Sequence, residues 1–71
     1  MLINVKVKYG SSRQSIEYFG NNRYLVYMLS KIEEEDSYDE LIAMLSKRLG
    51  VPAVRIELKK DSGGDKVFDV L

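Results

Sequence analysis

Apolar and polar residues alternate without a break from Leu2 to Lys8, with Ile3, Val5 and Val7 on one side and Asn4, Lys6 and Lys8 on the other. A two-residue period is that of a strand with one face buried. Gly10-Ser11-Ser12 reads as a turn, and Ile16 and Tyr18 resume the alternation in a short second strand. Gly20-Asn21-Asn22 tolerates positive φ and marks the next turn. The stretch that follows, Tyr24 to Leu29, is apolar on both faces, which suits a strand near the middle of a sheet.

The period then changes. A polar connection from Lys31 to Asp36 ends in the carboxylates Glu33, Glu34, Glu35 and Asp36, and beyond it Tyr38, Leu41, Ile42, Leu45 and Leu49 recur at helical spacing. Ser37 and Glu40 have the spacing of a capping box at the helix start, and the preceding acids complement the positive end of the helix dipole. Lys47 and Arg48 occupy the last turn, Gly50 is placed to end the helix in a left-handed conformation, and Pro52 prevents its resumption. Val54, Ile56 and Leu58 alternate with Arg55, Glu57 and Lys59 as a fourth strand. Asp61-Ser-Gly-Gly-Asp65 is a loop, and Lys66 to Leu71 is a final strand. The predicted order is β-β-β-α-β-β, an α+β two-layer fold with one helix on a mixed sheet of four to five strands.

Length and composition narrow what such a fold can do. The 71 residues make one domain, 1–71, whose small core leaves a thin stability margin. With no cysteine there is no disulfide, thiolate metal site or cysteine nucleophile, and a secreted domain this small would ordinarily need disulfide staples. A cytoplasmic protein is therefore expected. The longest apolar runs fall far short of the roughly 20 residues that cross a bilayer, and no signal peptide is evident, so no membrane role is expected. Eleven basic and eleven acidic residues cancel, which removes any net field toward nucleic acid or anionic lipid. Histidine is absent, removing the commonest general base and metal ligand. No catalytic residue, metal or cofactor is assigned, and an enzyme is the least favoured class.

The segment Leu41-Ile-Ala-Met-Leu-Ser-Lys-Arg-Leu-Gly-Val-Pro52, with Arg55-Ile-Glu-Leu58 and Asp65-Lys66-Val67 after it, resembles the YggU-like family of uncharacterised small proteins. That family has a comparable leucine-rich helix ending in Gly-Val-Pro, then a strand and a loop leading to Lys-Val. Val5-Lys-Val-Lys8 and Gly10-Ser11 resemble its first strand and turn, and Tyr24-Leu-Val-Tyr27 falls where it has a strand. The departures are at the loops. Tyr9 replaces the turn proline, Lys31 to Tyr38 replaces a Pro-Pro and Gly-Lys-Ala-Asn loop, and a loop with Thr-Ser-Arg survives only as Asp61 to Lys66. No counterpart of the family's C-terminal helix follows Leu71, so the likeness is to a divergent, truncated member. It implies a fold and no activity. The order of helix, Gly-Val-Pro and strand is also similar, more weakly, to ubiquitin-like β-grasp domains. The ending Phe68-Asp-Val-Leu71 lacks the di-glycine tail that conjugation requires.

Three places invite a functional reading. The Asp61 to Lys66 loop could offer amides and Lys66 to an anion, yet no helix follows its glycines, so a hairpin turn accounts for it. Glu33 to Asp36 could attract a divalent cation, but consecutive carboxylates diverge and the spacing is not that of a calcium loop. The third is an interaction surface on the sheet face away from the helix. If the first and fourth strands are neighbours, Lys6, Lys8, Arg55 and Lys59 gather there, near Arg13, and Tyr9, Tyr18 or Tyr27 could add stacking surfaces. One helix covers only one face, so Leu25, Tyr27 or Leu29 is expected to meet a protein partner or a second copy. The leading expectation is a non-enzymatic domain acting through protein contacts, and the alternative is a weak RNA-binding module using the basic face.

Overall fold

The computed structural model describes residues 1–31 and 35–71. The acidic pair Glu33-Glu34, and with it the metal reading of Glu33 to Asp36, lies outside the described residues. The elements are β1 (Leu2–Lys8), β2 (Ser15–Tyr18), β3 (Arg23–Tyr27), α1 (Glu35–Leu49), β4 (Ile56–Ser62) and β5 (Asp65–Val70), with a short 3₁₀ turn at Ala53–Arg55. They form one five-stranded mixed sheet in the order β2-β3-β1-β5-β4, with the helix on one face. The fold is α+β, as the hydrophobic pattern predicts.

β1 is the central strand and its alternation decides the rest. Ile3, Val5 and Val7 are buried while Leu2, Asn4, Lys6 and Lys8 are exposed. On the buried side they join Val26 and Met28 from β3 and its continuation, Ile56 and Phe68 from the other half of the sheet, and Leu41 and Leu45 from the helix. These pack into one core. Burying a Leu, Ile or Phe side chain contributes about 2 kcal/mol, so this layer dominates stability.

β3 lies between β1, to which it runs parallel, and β2, to which it runs antiparallel. The 9–14 loop makes this possible by carrying the chain past the place β3 will fill. Gly10, at φ +70°, and Ser11 donate their amides to the carbonyls of Ser30 and Met28 at 2.7 and 2.9 Å. Asn21 and Asn22 adopt the positive φ values expected of the second turn.

The helix stop matches its sequence signals. Gly50 sits at φ +71°, and the amides of Gly50 and Val51 both reach the Ser46 carbonyl, while Ser46 Oγ donates to the Val51 carbonyl at 2.6 Å. The helix start does not match. α1 begins at Glu35, so Ser37 is its third residue and is buried, not a cap. Glu40 accepts a hydrogen bond from Gln14 Nε2 at 2.8 Å.

The fourth strand is also displaced. Val54 and Arg55 belong to the 3₁₀ turn, where Val54 is 89% exposed, and β4 starts at Ile56. It then runs on through Ser62, leaving Gly63-Gly64 as a two-residue hairpin turn. Gly63 has φ +67°, and a Cβ on Gly64 would lie 3.1 Å from the Val7 carbonyl oxygen.

Candidate interaction surface

The pairing registers set rows of side chains across the sheet face opposite the helix. One row crosses Phe19, Arg23, Asn4, Val67 and Lys60, and the next crosses Glu17, Leu25, Lys6, Asp65 and Ser62. A third places Ser15, Tyr27 and Lys8 side by side. Adjacent strands are about 4.8 Å apart, so residues in one row are within reach of a common ligand. Arg23, Asn4, Val67 and Lys60 of the first row and Lys6, Asp65 and Ser62 of the second line a groove of about 450 Å³. Phe19 and Leu25 wall an adjoining hollow with Lys6 and Arg23.

This surface shares some residues with the one expected from the sequence and replaces others. Lys6, Lys8, Leu25 and Tyr27 do share the open face. Arg13 joins them at its margin, in a smaller groove with Tyr27 and Glu17. Arg55 and Lys59 do not converge with Lys6 and Lys8, because β5 separates β1 from β4. Arg55 lies in the 3₁₀ turn ahead of β4, and Lys59 sits at an irregularity in the edge strand. There Lys59 Nζ donates to Glu57 Oε1 at 3.0 Å, a bond that raises the ammonium pKa above its ordinary value.

Lys66 is placed inside the molecule. It stands opposite Val5, is 2% exposed, and donates to Asp61 Oδ1 at 2.8 Å and to the Gly63 carbonyl at 3.0 Å. Its charge closes the hairpin turn from within, so it does not project to an anion outside. Leu29 lies past the end of β3 and is 54% exposed. Of the tyrosines considered for stacking, only Tyr27 is on the open face. Tyr9 packs against the core, and Tyr18 is on the helix side, its ring 5.0 Å from that of Tyr24.

Arg23, Lys60 and Phe19 are the residues that sequence reasoning missed. Phe19 and Arg23 continue the outward alternation of Ser15-Glu17 and Leu25-Tyr27, a signal obscured by reading Gly20 to Asn22 as the limit of both strands. Lys60 was out of phase. The irregularity between Leu58 and Lys60 moves it onto the face that an unbroken strand would give to Lys59.

Among the described residues no group of three carboxylates could hold a metal ion, and no helix is long and apolar enough to cross a membrane. No protein-family model matches the chain, and no solved structure matches it.

Proposed function

We propose that this domain is a binding module that acts through protein contacts, without catalysis, and that the open face of its sheet takes part. The observation carrying this reading is the composition of that face: Phe19, Leu25 and Tyr27 form an apolar strip with Lys6, Lys8 and Arg23 beside it. An apolar centre with a polar margin is the usual make-up of a protein interface. Neighbouring chemistry does not suggest a reaction. Asp65, in the groove, and Glu17, on β2, are separated along their row by Lys6 and Leu25.

Capture of partners from the cell of origin by immobilised protein, followed by the same experiment with Leu25→Glu and Tyr27→Glu, tests the reading. Wild type is expected to retain a defined partner or a second copy, and both variants to lose it while keeping their circular dichroism spectrum. Retention by the variants would remove the open face from the account.

RNA binding is the second reading, favoured by the placement of Lys6, Arg23 and Lys60 around one groove. Its weakness is physical. Asp65 stands directly opposite Lys6, and the central strand presents no aromatic side chain on which bases would stack. If RNA is the ligand, affinity falls steeply with salt and is lost in Lys6→Glu. No binding at low salt ends that reading.

A further inference from the structure

β2 is an edge of the sheet, and its outer side has chemistry that neither face accounts for. The Phe19 amide donates to the Arg23 carbonyl at 2.9 Å. Antiparallel ladders repeat every two residues, so Glu17 and Ser15 also bond inward to β3. The backbone N–H and C=O of Ile16 and Tyr18 therefore point away from the sheet. Their side chains lie on the helix side, since Ile16 stands opposite the buried Val26.

The helix runs beside this edge in the same direction. Gln14 meets Glu40 just ahead of the strand, and Ser15 and Ile16 share a groove of about 290 Å³ with Met44, Lys47 and Arg48. Two strand residues advance about 6.6 Å and four helix residues about 6 Å, so the step from Gln14 to Ile16 matches that from Glu40 to Met44. The Gln14–Glu40 bond closes one end of this channel. Its floor is Ile16 and Met44, and the other end carries Lys47 and Arg48, neither of which is ion-paired among the described residues.

We propose that the β2 edge and α1 form a strand-addition site for an extended segment of a partner protein, aliphatic in its middle and acidic on one flank. The segment pairs with the outward backbone groups of Ile16 and Tyr18 and sets an aliphatic side chain between Ile16 and Met44. Its acidic residues then lie against Lys47 and Arg48. Main-chain pairing supplies affinity in such a site, and the groove and the cations supply selectivity. A helical ligand would leave the outward donors and acceptors unmet, and a nucleic acid has no aliphatic group for the groove. The site is on the other side of the sheet from Leu25 and Lys6, so it stands or falls independently of the open face.

Fluorescence anisotropy with the whole protein tests this. The probes are labelled ten-residue peptides containing Val-Ile-Val with three aspartates on the N-terminal or the C-terminal side. Controls carry three lysines in place of the aspartates or serines in place of the aliphatic run. At least one acid-flanked peptide is expected to bind at least tenfold more tightly than either control. Met44→Glu and the double variant Lys47→Glu/Arg48→Glu are expected to weaken it at least tenfold, with Leu25→Glu leaving it unchanged. Met44→Ser serves if Met44→Glu fails to fold. Equal binding of the lysine-flanked peptide, indifference to the groove variants, or pairing of β2 with a second copy that the peptide does not displace would overturn the proposal.

Discussion

β4 closes one side of the sheet with seven residues, whereas β2 closes the other with four. Glu57, Lys59, Lys60 and Asp61 place charges of both signs along β4, and the irregularity between Leu58 and Lys60 bends its outer side. Such charges and bulges keep an edge from pairing with another chain. β2 has one charge, Glu17, and no irregularity in its register. Its protection is limited to brevity and to the neighbouring helix, which leaves a groove instead of a seal. Within one sheet, the long edge is guarded and anchored while the short edge stays accessible, and this asymmetry tells where a partner strand would add.

The anchoring makes the largest predicted difference. Ile56 is 7% exposed and Ile16 is half-buried, so Ile56→Ala is expected to cost about 3 kcal/mol and Ile16→Ala about 1 kcal/mol in urea unfolding. Equal costs would mean that the two edges are held equally. Lys66→Ala should destabilise by about 2 kcal/mol, less than a fully buried pair would, because the Asp61 it abandons is still partly solvated. Lys66→Met, which keeps the buried stem, should be markedly milder when both are measured by the same unfolding curve. Removing the exposed Gln14–Glu40 bond with Gln14→Ala is expected to cost about 0.5 kcal/mol, and to loosen β2 against the helix by amide exchange at Ile16.

The smallest stability change should accompany the most direct attack on the comparison. Lys59→Thr with Lys60→Val strips the charges from the middle of β4. We expect little shift in the denaturation midpoint, since the Lys59–Glu57 pair is exposed. Concentration-dependent association by sedimentation velocity is nevertheless expected to appear. If the stripped variant stays monomeric at high concentration, the lysines are not what guards that edge.

The elements that were legible in the sequence are those whose burial pattern is pure. β1 alternates without exception and the structure reproduces its bounds, and Gly50 ends the helix by a local rule that needs no tertiary partner. The helix start misled because Ser37 and Glu40 have capping spacing yet sit inside the first turns, where Gln14, distant in sequence, claims Glu40. Lys59, Lys60, Asp61 and Ser62 are all polar, so nothing in their pattern could reveal the shift of phase between them. The expected cluster of Lys6, Lys8, Arg55 and Lys59 failed for a different reason. Strand order is a non-local property, and β5 lies where adjacency of β1 and β4 was supposed. On the other side of β1, β3 lies between it and β2 and leaves β2 as the edge, a placement equally non-local and so not legible in the pattern of the chain.

The most direct test is to follow backbone amide resonances of the whole protein while the acid-flanked aliphatic peptide is added. The account predicts that the largest shifts fall on Ile16, Tyr18, Met44 and Lys47, with slowed exchange at the Ile16 and Tyr18 amides. Shifts centred on Glu57 to Asp61, or on Lys6 and Leu25 with the β2 amides unmoved, would contradict it.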